Sequence, residues 1–224
     1  MITKQNGEDS LKALKENEQI HKYQKIQNTF FLVSIIITPL LLFMTLILPI
    51  SIYISKISNI VTSNYFLSLS IYIIIFGLLF KLLSLPYDYY KDYIVEKKFS
   101  LSTQTSLSFF KDEIKTSIIT IITGLILINA LYFAIDLFYN YWWLITSIFL
   151  IVFNLTLGKL YPVLIMPLFN KFIQVDDIEI ETKIKTLCEK CDVRIKDFLK
   201  MDMSKRTNKA NAFFTGIGKS KRIV

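Results

Sequence analysis

Histidine and cysteine are almost absent from this 224-residue chain, which holds one of the former and two of the latter. So few donors exclude a disulfide framework and a histidine-built metal cage. Charge is missing over long stretches as well, and between Lys25 and Lys56 there is none. With 53% hydrophobic residues, 14% aromatic residues and a mean hydropathy of +0.46, the chain is neither a soluble globule nor a disordered one.

About 20 apolar residues, rising 1.5 Å each, cross a hydrocarbon core. From Phe30 to Pro49, fourteen of twenty residues are Phe, Leu, Ile or Val. At the centre of a span these contribute about −4 to −8 kcal/mol of insertion free energy, which Pro39 and Pro49 reduce without reversing. Three further charge-free runs, Ile57–Phe80, Thr116–Ile135 and Leu137–Gly158, predict spans two, three and four. Tyr139, Tyr141, Trp142 and Trp143 separate the last two with rings suited to headgroup depth, so a tight hairpin turn is expected there. Asp136 then reads as an interfacial carboxylate and not as a functional intramembrane acid.

Orientation follows from the basic residues. Residues 1–28 hold five Lys and Arg, the loop around Lys56 one, residues 86–115 five, the Tyr/Trp turn none, and the chain after Tyr161 thirteen. Four spans with both termini cytoplasmic satisfy these counts, with Lys81 and Lys159 snorkelling at helix ends. The formal charge of +8 is thereby assigned to topology and to contact with the lipid bilayer, not to nucleic acid. The first apolar run is too long, and lacks a small-residue cleavage site, for a signal peptide.

The expected organisation is a polar cytoplasmic leader (1–28), a four-helix membrane region (29–161) with an amphipathic cytoplasmic loop (86–115), and a cytoplasmic helix-and-strand segment (162–224). The leader reads as a frayed or disordered helix, and His21 as a solvated side chain. In the loop, Leu107, Phe110 and Ile114 recur at helical spacing, which suits a lid or a membrane-surface collar. After Pro162 and Pro167, acids at Asp176, Asp177, Glu179 and Glu181 open a helix with Ile180, Ile184, Leu187 and Cys191 on one face. Cys188 and Cys191 form a C-x-x-C pair with neither a preceding strand nor a second pair, which suits packing better than redox or zinc chemistry. Leu199, Met201 and Met203 alternate with polar residues, NAFFTG follows, Gly216 and Gly218 suggest a tight turn, and KRIV closes a small, incomplete sheet. From the residues alone, Asn211, Ala212 and Phe213 fit an ordinary interior strand.

Three stretches resemble the type I CAAX prenyl endopeptidases, polytopic zinc metallopeptidases. They are IVEKKFSLSTQTSLSFFKDEIK, similar to the family's "IEEKFGFNKQT…FFKD.IK"; IMPLFNKF, similar to "PLFNKF"; and SKRTNKANAFFTGIGKSKRIV, similar to "SKRS…NAYFYG…KRIV". The chain departs from the pattern at Ser100 and Ser102, where the family favours Gly and Asn. The resemblance implies membrane helices around a chamber, and a zinc helix carrying HExxH shortly after the KRIV strand. Two histidines at i and i+4 and a glutamate are needed there, and a chain whose sole histidine is His21 cannot supply them.

The resemblance therefore implies the amino-terminal, membrane-and-substrate portion of such a protease, from a truncated gene, a split protein or a shortened chain. Zinc would belong to the complete enzyme and none to this chain, with no metal ligand or catalytic residue expected here and no activity expected from it alone. It also gives Asn211, Ala212 and Phe213 a role as the edge strand on which a peptide or prenylated protein pairs before cleavage. A carboxy-terminal partner chain could complete the site, and in a bacterium the membrane would be the cytoplasmic one. The alternative is a non-catalytic membrane scaffold or lipid- or peptide-binding remnant. A transporter is disfavoured, because no span carries paired ionisable residues.

Overall fold

The computed structural model describes residues 2–191, 193, 195, 197–209, 211–215 and 221–224, with side chains from residue 17 onward. The chain divides into two compact units, Met1–Ser102 and Thr103–Val224.

The first unit opens with α1 (Ile2–Ile47), followed by α2 (Ile50–Val61) and α3 (Tyr65–Asp88). The backbone of the expected leader thus continues without a break into the first span. Phe31, Ile36 and Leu46 of α1 are 63%, 68% and 75% exposed. Water would make that arrangement costly, whereas in a bilayer these side chains face lipid tails. Span two starts later than charge counting predicts. Ile57–Val61 belongs to α2, and Asn64 opens α3 by accepting the Leu67 N–H at 3.1 Å. A charge-free stretch can still be interrupted by polar Asn59, Thr62 and Asn64, because an N-cap stops one helix and starts the next. With twelve residues, α2 is too short to cross a membrane, and it buries Ile54 and Ser58.

Pro86 lies inside α3, and a π-helical segment (Tyr89–Val95) and α4 (Glu96–Lys98) follow. Here α1 is fastened. Tyr87 Oη donates to the Phe30 carbonyl at 2.6 Å, and Tyr23 Oη donates to Glu96, which also accepts from Gln27 at 3.3 Å. Lys81, expected to snorkel, instead pairs with Asp88 at 2.7 Å, two turns along the same helix.

At the end of α4 the Leu101 N–H donates to the Glu96 carbonyl at 2.9 Å and the Ser100 N–H to Lys97 at 3.0 Å. That pair of bonds is a Schellman cap, whose penultimate residue must be left-handed. Ser100 holds φ = 55° there.

The second unit begins with α5 (Ser106–Leu137), capped by Thr105 and packed on α6 (Trp142–Leu160). The Tyr/Trp region forms the short link Phe138–Tyr141 plus the first turn of α6, as the rings suggest, and Asp136 is exposed in the last turn of α5. Phe109 is the buried residue at the start of α5, while Leu107, Phe110 and Ile114 are exposed. Their helical spacing therefore marks an outward stripe, since apolar periodicity in a lipid-facing helix does not report which side packs on protein.

A second π-helical segment (Tyr161–Ile165), holding Pro162, leads into α7 (Met166–Phe169). Then come β1 (Lys171–Gln174), α8 (Ile178–Lys190), β2 (Asp197–Asp202), β3 (Phe214–Thr215) and β4 (Arg222–Ile223). The sheet runs β1-β2-β4-β3, antiparallel at both outer pairs and parallel in the middle. Arg222 and Asp197, register partners, also pair as ions at 3.0 Å and pin the parallel step. Sequence patterning missed β1, and the glycine turn at Gly216 and Gly218 lies outside the described residues. Arg206, in the turn after β2, reaches Asp112 of α5 at 2.5 Å and covers the Phe169 ring at 5.4 Å. Among the described residues, helices and a small sheet make up an α-helical membrane protein with four candidate spans.

Ser100→Gly is expected to raise stability by about 0.5–1 kcal/mol. The left-handed cost of about 1–2 kcal/mol for a side-chain-bearing residue exceeds the extra freedom glycine loses on folding, about 0.5–1 kcal/mol. Reversible unfolding in mixed micelles checks it; a loss of stability would mean that the Ser100 side chain holds this turn.

Candidate functional site

The sheet and α8 enclose a groove of about 940 Å³. Its floor comes from β2 (Phe198, Leu199, Met201), one wall from α8 (Ile180, Ile184) and the opposite rim from Asn211, Ala212 and Phe213. All three residues singled out in the sequence therefore come together at one apolar cleft.

Local chemistry sets α8 in place. Asp177 accepts the N–H groups of Glu179 and Ile180 at 3.0 and 3.1 Å, which satisfies two donors the helix start would leave open. Glu179–Lys183 and Glu181–Lys185 pair at 2.6 Å on exposed turns, worth about 0.3–0.5 kcal/mol each. Ile180 and Ile184 face the groove as their spacing predicts. Leu187 and Cys191 are exposed and are not among the residues that line it.

The rim has a definite main-chain pattern. Phe213 donates its N–H to the Val224 carbonyl and accepts the Val224 N–H, each at 3.0 Å. Successive residues of an antiparallel strand turn their main-chain groups to opposite sides. Phe214, the register partner of Ile223, thus turns its N–H and C=O away from β4. β3 is a terminal strand of the sheet, so that side is an open edge among the described residues. Asn211 and Ala212 precede the assigned strand. Sequence reasoning named residues 211–213 and not Phe214, the residue with outward main-chain groups, because alternation is fixed by register and not by composition.

Asp202, at the end of β2, lines the groove. Its carboxylate accepts from the Ser204 hydroxyl at 2.7 Å and the Ser204 N–H at 3.1 Å. These bonds, aided by Lys205 and Lys171, hold its pKa below the ordinary 3.8.

For a metal the donor set does not fit. His21 is exposed on α1, Cys188 and Cys191 sit at the end of α8, and among the described residues no three His, Cys, Asp or Glu side chains converge.

Residues 9–171 match the family model described as the CAAX prenyl protease N-terminal, five membrane helices. The chain is 30% identical over 203 residues to an uncharacterized metalloprotease, YhfN, of Bacillus subtilis, covering 91% of this chain and 47% of that protein. It is 29% identical over 162 residues to the CAAX prenyl protease 1 homolog of Homo sapiens, covering 72% and 34%. Its fold superposes on the crystal structure of S. mikatae Ste24p with a TM-score of 0.79 at 26% identity, covering 92% of this chain and 50% of that one. The chain thus spans half or less of the length of these relatives.

Ser204→Ala is expected to raise the Asp202 pKa toward 3.8, read by carbon NMR of the side-chain carboxyl. Because the folded value is depressed, the contribution of this group to stability is present above about pH 3.8 and is lost as pH falls through the folded value. An unmoved titration would remove Ser204 as the cause.

Proposed function

This chain belongs to the CAAX prenyl protease family, and on that premise we propose that it forms the membrane and substrate-platform portion of such a metalloprotease. The observation that carries the reading is the open edge of β3 beside the apolar groove. An extended peptide added to that edge would exchange main-chain hydrogen bonds with Phe214 whatever its sequence. Carrying the alternation back one step gives Ala212 the same outward role, while Phe213, committed to Val224, contributes its side chain to the cleft. The groove, with Ile180, Ile184, Phe198, Leu199 and Met201 along it, offers alternate apolar side chains a place out of water. Asn211, Ala212 and Phe213 act here in binding and register; bond cleavage is assigned to none of the residues described. The substrate class is a peptide delivered at the membrane, and the prenylated CAAX proteins are the class that the relatives' names imply.

Four crossings would return the chain to the side on which it began, and the lysine-rich segments favour the cytoplasm for that side. The groove would then open to the cytoplasm.

Two measurements test this. Proline at position 214 removes only an outward N–H and leaves the ladder to β4 intact. Phe214→Pro in nanodiscs should therefore bind a farnesylated CAAX peptide about tenfold more weakly than Phe214→Ala, the loss of about one hydrogen bond. Equal affinities for the two variants would refute edge pairing. For orientation, a membrane-impermeant maleimide should label Cys191 in inverted vesicles and not in right-side-out ones; the opposite pattern would place the groove across the bilayer.

A further inference from the structure

A second, smaller cavity of about 260 Å³ lies in the same unit, between the start of α5, the α7–β1 junction and the turn after β2. Five cations, Lys111, Lys115, Lys171, Lys205 and Arg206, line it against two acids, Asp112 and Asp202. Both acids are already engaged. Asp112 accepts from Gln104 at 2.6 Å and pairs with Arg206 at 2.5 Å and Lys115 at 3.7 Å, and Asp202 accepts twice from Ser204. Lys111, Lys171 and Lys205 are exposed and enter no ion pair among the described residues. Lys171 and Lys205 feel the Asp202 carboxylate without a close ion pair, and the lining as a whole carries three more cations than acids.

Depth in the bilayer narrows the ligand. Lys115 is the last charge before the apolar run 116–135, and its ammonium donates to the Leu168 carbonyl at 3.0 Å, where the last candidate span, Trp142–Phe169, ends. The cavity thus sits where two spans leave the hydrocarbon, at the level of lipid phosphates.

We propose that this cavity binds the phosphate of an anionic membrane lipid. The lysines take the phosphate oxygens. This assignment stands apart from the protease reading, since no residue of β3 takes part.

The experiment reads retained lipid on the full chain by native mass spectrometry after incorporation into nanodiscs of equal phosphatidylglycerol and phosphatidylcholine. Phosphatidylglycerol should be retained about tenfold over phosphatidylcholine, and the combined variant Lys111→Gln, Lys171→Gln, Lys205→Gln should lose the preference, while the matching arginine triple keeps it. Circular dichroism confirms that each variant is folded, and a variant pair at Lys183 and Lys185, outside the cavity, should change nothing. Millimolar inorganic phosphate in pure phosphatidylcholine separates the two sources of the anion: a phosphate-induced gain in thermal stability, with no lipid preference, would reassign the cradle to a soluble ion and sink the lipid assignment. Equal retention of both lipids with no phosphate response, or a preference untouched by the glutamine triple, would overturn the site altogether.

Discussion

Inside hydrocarbon no water is present to satisfy a backbone N–H or C=O, and each one left open costs several kcal/mol. The rest of this architecture follows from that constraint. Four apolar segments are helical because a helix satisfies its own ladder, and two of the five prolines stand where the ladder widens, Pro86 just before one π-helical segment and Pro162 inside another. An incomplete strand edge, by contrast, can exist only outside the lipid. The open side of β3 is therefore kept from contact with lipid tails.

Arg206 joins the two regimes. It carries its charge from the turn after β2 to Asp112 on α5 and lies flat over Phe169 of α7. Thr103 adds to the same junction, donating its N–H to the Arg206 carbonyl at 3.1 Å and its hydroxyl to Ser204 at 2.7 Å. The three sequence stretches that carry the family resemblance contribute residues to this region: Asp112 from one, Phe169 and Asn170 from another, Arg206 from the third. Their shared part is the seam between span ends and sheet, a mechanical role that motif comparison by itself does not reveal.

Hydropathy made four candidate spans legible, because twenty apolar residues in a row have few other uses. It did not locate where span two begins, since Asn59, Thr62 and Asn64 carry no charge yet redirect the chain through capping. Nor did it say which stripe of α5 packs: in lipid, exposed Ile114 and buried Phe109 are equally apolar. The candidate rim at Asn211, Ala212 and Phe213 was visible only through resemblance to a known family. Which of its neighbours presents main-chain groups outward depends on Phe213 pairing with Val224, a long-range fact that no local pattern encodes. The lysine cavity is illegible in the sequence for the same reason, its residues being scattered from position 108 to 206.

Only Asn170 separates the end of α7 from the first residue of β1. With strands about 4.8 Å apart, β3 stands some three spacings, roughly 14 Å, from that attachment. No slack exists in the joint, and with Arg206 tied to Asp112 the sheet is held to the ends of both α5 and the span that closes at α7. A change in the lean of these spans would be passed to β3 over a lever arm of those three spacings.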